Sequence, residues 1–410
     1  MRLPSPSVMQ QRAAAFALSS MLAFSPLQPE ALSGVAPSPL AQLLPTMQPA
    51  YAKELASGSG SKVNKNPESL LRLGLPNQPK EIRNVQLKLE ETEDSLSRLL
   101  VNNAKSSTKD AAAALTGGKA KIVKAAPAGA ADKVDGLLAQ LNQEVQDLTG
   151  SVAANQVPAA QEQVKKALVT VTQVEELIAS GYVQPVPPAE FTSYLPWLKG
   201  RATVDIELKR PGGKFDVDGD LYDKLTTTLV LDGYTAPLTA GNFVDLVSKG
   251  FYDGFKIQRS DGFVVQTGDP QAEGKSDKNG YVQNGKIRNV PLEVYVQGDK
   301  EPLYSATFDD DSRGGYAAAL PFNAYGALGM AREEYNVDSA STQWFWLLFD
   351  SDLTPAGKNL LDGRYSCFGY TTGGARLLSD VKEGDVIVSA KVTSGMDNLQ
   401  RPSSSAPAAE

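Results

Sequence analysis

Near residue 200 the spacing of apolar residues changes from three and four to two. No single element can follow both periods, so the chain must divide into a helical part and a β part. Upstream, Ile82, Val85, Leu89, Thr92, Leu96 and Leu99 fall on one stripe of a helix. Residues 110–126 are alanine-rich, broken by Gly117-Gly118. Val134, Leu137, Leu138, Leu141, Val145, Leu148 and Val152 make another stripe, and Val164, Leu168, Val171 and Ile178 a further one. Four amphipathic segments joined by short polar connections predict an antiparallel helical bundle over 67–180. Gly117-Gly118-Lys119 lacks the first glycine and the Ser/Thr of a phosphate loop, so it carries no nucleotide reading. Downstream, Val204, Ile206 and Leu208 alternate, and residues 226–231 are β-branched and apolar, which predicts strands over 201–396. The fold class is α+β and multidomain.

The flanks read differently. Residues 1–52 contain one acidic residue, Glu30, and an apolar run from Ala13 to Phe24 that is too short to cross a membrane. A weaker apolar patch runs from Leu40 to Met47, and Ala50-Tyr51-Ala52 offers a processing site. These features predict a targeting segment removed near Lys53, with no membrane span in the remaining chain. Residues 53–66 are a polar Gly/Ser/Lys linker. Residues 181–200 form a second linker, held extended by Pro185, Pro187 and Pro188 and pinned to a neighbouring domain by Phe191, Tyr194 and Trp197. The Ser/Pro/Ala-rich segment 397–410 is expected to be disordered.

Composition narrows the chemistry. The 410 residues carry a formal net charge of −7, against a grip on nucleic acid or anionic lipid. There is one cysteine, Cys367, and no histidine. That removes the Ser-His-Asp arrangement, histidine-based acid–base work and histidine-ligated metals. Asp309-Asp310-Asp311 reads as a solvated loop, and neither a metal nor a cofactor is expected. What remains is chemistry by Arg, carboxylates or Tyr, or chemistry without proton transfer.

The stretch 250–270, GFYDGFKIQRSDGFVVQTGDP, fits a hairpin. Gly250 stops a preceding helix. Phe255 and Ile257 alternate with Lys256 and Gln258, Asp261-Gly262 supplies the turn, and Phe263, Val264 and Val265 begin the return strand. Arg259 shares the parity of Phe255 and Ile257, so strict alternation points it at the apolar face unless the turn shifts the register. A buried guanidinium needs a partner, and Gln266 across the hairpin is placed to be one; the alternative is that the Arg259 side chain snorkels to the solvent at the rim.

This stretch resembles the cyclophilin signature, in which Gly-Phe-Tyr-Asp-Gly leads to a strand ending in Arg, then Gly-Phe, two residues and Gln-x-Gly-Asp-Pro. One residue is missing here between Arg259 and Gly262-Phe263. Gly326–Arg332 resembles the family's Gly-x-x-x-Met-Ala-Asn strand, with Arg332 for Asn. Ser341–Phe345 resembles its Ser-x-Gln-Phe-Phe strand, and Leu361-Asp-Gly-Arg-Tyr365 its Leu-Asp-Gly-Lys-His segment. Residues 381–387 are expected to be the last helix and strand entry. The span 271–325 is longer than in single-domain members.

The resemblance implies a closed antiparallel β-barrel with capping helices after the bundle. It implies peptidyl-prolyl isomerisation, a rotation over a barrier of about 20 kcal/mol that needs no acid, base or metal. In the family an Arg donates towards the prolyl nitrogen, a Gln orients it, and Phe and Met side chains line the pocket. Arg259 is then catalytic, and Phe263, Val264, Gln266, Ala331, Arg332, Gln343, Phe345, Leu360, Leu361 and Tyr365 bind substrate. Val264 stands for Met, Tyr365 for His and Leu360 for Trp. If these three replacements cost about 3 kcal/mol together, turnover falls about a hundredfold.

Over nearly all of the mature chain, including Pro67–Pro76, the sequence is similar to the large thylakoid-lumen cyclophilins of plants and algae. Their bundle resembles an extrinsic four-helix subunit of photosystem II. The resemblance implies a chloroplast thylakoid-lumen protein whose partners are proline-containing peptides and lumenal loops of photosystem II core subunits. It leaves three readings: a proline-peptide-binding assembly chaperone with weak or absent turnover, an active isomerase in protein folding, and a structural photosystem II-associated subunit.

Overall fold

The computed structural model describes residues 63–349 and 359–402. The expected targeting segment, most of the first linker and the end of the tail lie outside the described residues.

Five helices come first: α1 (Pro67–Gly74), α2 (Lys80–Ser97), α3 (Val101–Lys124), α4 (Ala131–Ala153) and α5 (Val157–Ala179). Ile82, Val85, Leu89, Leu96, Val134, Leu138, Leu141, Leu148, Val164, Val171 and Ile178 meet in one buried core of α2–α5, as their spacing predicts. Leu99 does not join them. It lies beyond the end of α2 with φ +58°, and its side chain is exposed. Asn66 caps α1 by accepting from the Ser69 amide at 2.8 Å.

The β part is an eight-stranded antiparallel sheet: β1 (Arg201–Lys209), β2 (Leu225–Asp232), β3 (Ile257–Ser260), β4 (Val264–Thr267), β5 (Ala327–Met330), β6 (Trp344–Leu347), β7 (Cys367–Gly373) and β8 (Val386–Ser394). Its order is β8-β1-β2-β7-β5-β6-β4-β3. The two edges meet: Lys256 bridges Val386, Gly254 N–H donates to the Ile387 carbonyl at 2.7 Å, and Ile387 N–H to the Phe255 carbonyl at 2.8 Å. The sheet therefore curls into a barrel and leaves no free edge there. Helix α6 (Pro237–Ser248) packs with it, and Phe243, Tyr252, Trp344, Trp346 and Phe368 fill the interior.

Two expectations about the fold are corrected. Residues 381–387 hold no helix. A 3-10 turn at Ala375–Asp380 precedes a tight turn in which Gly384 has φ +90° and Asp385 accepts from the Lys382 amide, so that run is too short and too bent for a helix. The disordered tail does not begin at 397, because Leu399–Gln400 pairs antiparallel with Trp197–Leu198.

Bundle and barrel touch directly. Leu70 and Leu71 of α1 lie in one apolar cluster with Phe345, Leu347 and Tyr370 of the barrel. Arg201 donates from Nη2 to the Leu71 carbonyl and forms an ion pair with the fully buried Asp232 at 2.6 Å. The second linker is held by the buried Gln184, which donates to the Gly233 carbonyl at 2.6 Å and accepts from Gly200 N–H at 2.8 Å. Phe191 rests on Tyr304, with ring centroids 5.4 Å apart.

Candidate functional site

The site is built on the β3–β4 hairpin, the neighbouring strand β6 and two loops. A bulge between Ile257 and Arg259 breaks the alternation of β3. Ile257 pairs with Thr267, whose side chain is buried, whereas Arg259 pairs with Gln266 on the outer face. One extra residue on the bulged strand moves everything after it to the opposite face. Arg259 is therefore not on the apolar face, contrary to strict alternation, and its side chain is 38% exposed.

Gln266 is not its partner either. The Gln266 amide donates to Gln343 Oε1 at 3.1 Å, which ties β4 to the residue before β6. Arg259 bonds instead to Asp261, with Nε to Oδ2 at 2.6 Å and Nη2 to the same oxygen. Asp261 Oδ1 accepts from the amides of Phe263 at 3.0 Å and Val264 at 3.1 Å, and Gly262 with φ +83° completes the turn. Partial burial pushes the Asp261 carboxyl up, but the Val264 amide, the Arg259 guanidinium and the Phe263 amide outweigh it, leaving the group below the usual carboxylate range.

Phe345 forms the apolar floor. Its ring lies across Gly329 on β5, where a Cβ would collide with it. Phe322 stacks on it at 6.1 Å and 15°, and Tyr365 stands edge-on at 6.1 Å and 81°. Phe345 is left 5% exposed. Val264, Ala331, Leu361 and Tyr365 pack around it. Ala331 N–H donates to the Gln343 carbonyl at 3.0 Å. Arg332 Nε and Nη2 donate to the Arg364 carbonyl at 3.1 and 2.9 Å, so this side chain fastens the loop that carries Tyr365.

Phe263 is the exposed member of the group, at 52%, and stacks on Phe349 at 5.6 Å and 14°. Leu360 is 74% exposed and stands apart from the cluster. Asp261, Phe322 and Phe349 were absent from the residues inferred from sequence. One signal for Phe322 was available: the unbroken apolar run Trp344-Phe345-Trp346-Leu347 requires cover on both faces of β6. Among the described residues no group of His, Cys, Asp and Glu is placed to hold a metal ion.

Comparison with known proteins shows the family of the chain. The cyclophilin-type peptidyl-prolyl cis-trans isomerase family model matches residues 221–401. A CYP38-like, PsbQ-like domain model matches residues 66–179. Peptidyl-prolyl cis-trans isomerase CYP38 of Arabidopsis thaliana is 43% identical over 344 residues, covering 83% of this chain and 76% of the relative. The chain belongs to the cyclophilin-type peptidyl-prolyl cis-trans isomerase family. A Synechocystis cyclophilin named for the thylakoid lumen is 38% identical over 359 residues, 87% of this chain and 89% of its own. CYP37 of Arabidopsis thaliana is 33% identical over 353 residues, 83% of this chain and 72% of its own. This cyclophilin is a protein of the thylakoid lumen. Among its described residues no helix is long and apolar enough to cross a membrane.

Proposed function

We propose that this cyclophilin is a proline-peptide-binding assembly chaperone for photosystem II, with weak or absent isomerase turnover. The observation that carries the reading is the state of the two aromatic side chains. Phe263, stacked on Phe349, stays open to solvent, while Phe345 is closed over by Phe322 and Tyr365. An exposed aromatic face, that of Phe263 backed by the half-buried Phe349, suits a proline ring or an apolar neighbour of proline. A covered floor leaves little depth for a ring that must be held while its amide rotates.

The photosystem II half of the reading is supported by the PsbQ-like bundle and the lumenal family. Through α1 the bundle touches the apolar cluster that contains Phe345, and in this reading it regulates access to the site. A working isomerase is the second reading, favoured by Arg259, Phe263, Gln266 and Phe345 lying on one hairpin and an adjacent strand.

The test is a binding titration of the protein with an Ala-Pro peptide and with peptides from lumenal loops of photosystem II core subunits. Saturable binding lost on Phe263→Ala supports the reading. No binding to any of these peptides, or binding indifferent to Phe263, overturns it.

A further inference from the structure

We propose that Asp261 is a positioning residue that restrains Arg259 and thereby sets the turnover of the site. This rests on the proline-peptide reading above and supplies a cause for its low turnover.

The restraint is built from the backbone. Asp261 Oδ1 is committed to the amides of Phe263 and Val264, so the turn fixes the carboxylate before any guanidinium arrives. Its other oxygen, Oδ2, then faces Arg259 two residues back and takes both Nε–H and Nη2–H. The bulge at Gln258 brings Arg259 to the outer face where Asp261 can reach it. Gln266 is directly opposite in register yet spends its amide on Gln343. No side-chain acceptor other than Asp261 is engaged with Arg259 among the described residues.

Isomerisation requires that the guanidinium move to the prolyl nitrogen and donate an N–H there, competing for the lone pair that stiffens the amide. Here one edge of the guanidinium is already satisfied by a charge-assisted bond. Its charge is also offset by a carboxylate in direct contact. Arg259 must leave Asp261 before it can act, and the departure raises the barrier without changing how the apolar groups hold a peptide.

Asp261→Asn separates this role from the turn. Asparagine keeps an oxygen for the amides of Phe263 and Val264 and removes the charge. In the whole chain, Asp261→Asn is expected to raise kcat on an X-Pro test peptide about two- to fivefold, as fits release of a half-exposed ion pair, with peptide Kd unchanged. The rise should vanish when Arg259→Lys is added. The Arg259 Nε–H resonance should shift in Asp261→Asn while the amide resonances of Phe263 and Val264 stay in place. Unchanged or lower kcat with the turn intact overturns the inference, as does a rise that survives Arg259→Lys. Absence of peptide binding in both proteins overturns the turnover claim together with the reading beneath it, and the Nε–H shift then decides whether the restraint itself stands.

Discussion

Arg332 lies over the ring of Tyr365, with its guanidinium carbon 4.8 Å from the ring centroid. The same side chain donates to the carbonyls of Arg364, Glu333 and Glu334. One residue thus joins the loop after β5 to the loop carrying the rim of the site. Arg332→Ala removes an interaction worth about 0.5–1 kcal/mol and frees the rim. The Kd for a proline peptide should fall about threefold by calorimetry as Tyr365 swings away from Phe345. Weaker binding would show that the latch helps to form the site.

Phe322 covers Phe345 from the long segment between β4 and β5, and it is fully buried. Phe322→Ala should cost about 3–5 kcal/mol in urea unfolding. Gly329→Ala acts on the same ring from the other side, because the added Cβ meets Phe345. It should cost about 1–3 kcal/mol and make the near-ultraviolet circular dichroism of the aromatic cluster change.

Burial pushes the Glu175 carboxyl up to about 7, against the attraction of Arg83, Arg72 and Arg201 and with repulsion from Glu90. Arg83 Nη1 lies 3.3 Å from Oε1, while Oε2 has no partner. A raised acid pKa means the folded protein binds this proton more tightly than the unfolded chain. The contribution is full below the unfolded pKa near 4.5 and is lost as pH rises through about 7. Glu175→Gln should therefore stabilise the protein at pH 8 relative to wild type and do little at pH 4.5, measured by chemical denaturation.

Arg201 links β1 to Asp232, which is fully buried, and to the last turn of α1. Arg201→Ala leaves that carboxylate without its cation and should cost about 3–5 kcal/mol. Hydrogen exchange should quicken first in α1 and at Tyr370, where helix and barrel meet.

The bundle was legible in the sequence from its local periods, and the barrel from the motifs that resemble the cyclophilin family. The position of Arg259 was not. Alternation assumes an unbroken strand, and the bulge at Gln258 moves the arginine to the other face. Phe322 was signalled only by the need of β6 for cover on both faces, because its packing on Phe345 joins residues 23 positions apart, the first of them in a long insertion without periodicity. Helix α1 is eight residues long, too short to declare itself by a stripe. Leu399 resembled its Ser/Pro-rich neighbours in composition, but two strand residues suffice to pin it to Leu198.

The most direct test of the account is exchange NMR on an Ala-Pro peptide added to the protein. It reports binding and cis–trans interconversion in the same sample. The account predicts saturable shift changes at Phe263, Phe349 and Tyr365, with exchange cross-peaks little faster than those of free peptide. Interconversion at the rate of an ordinary cyclophilin, abolished by Arg259→Ala, would contradict it.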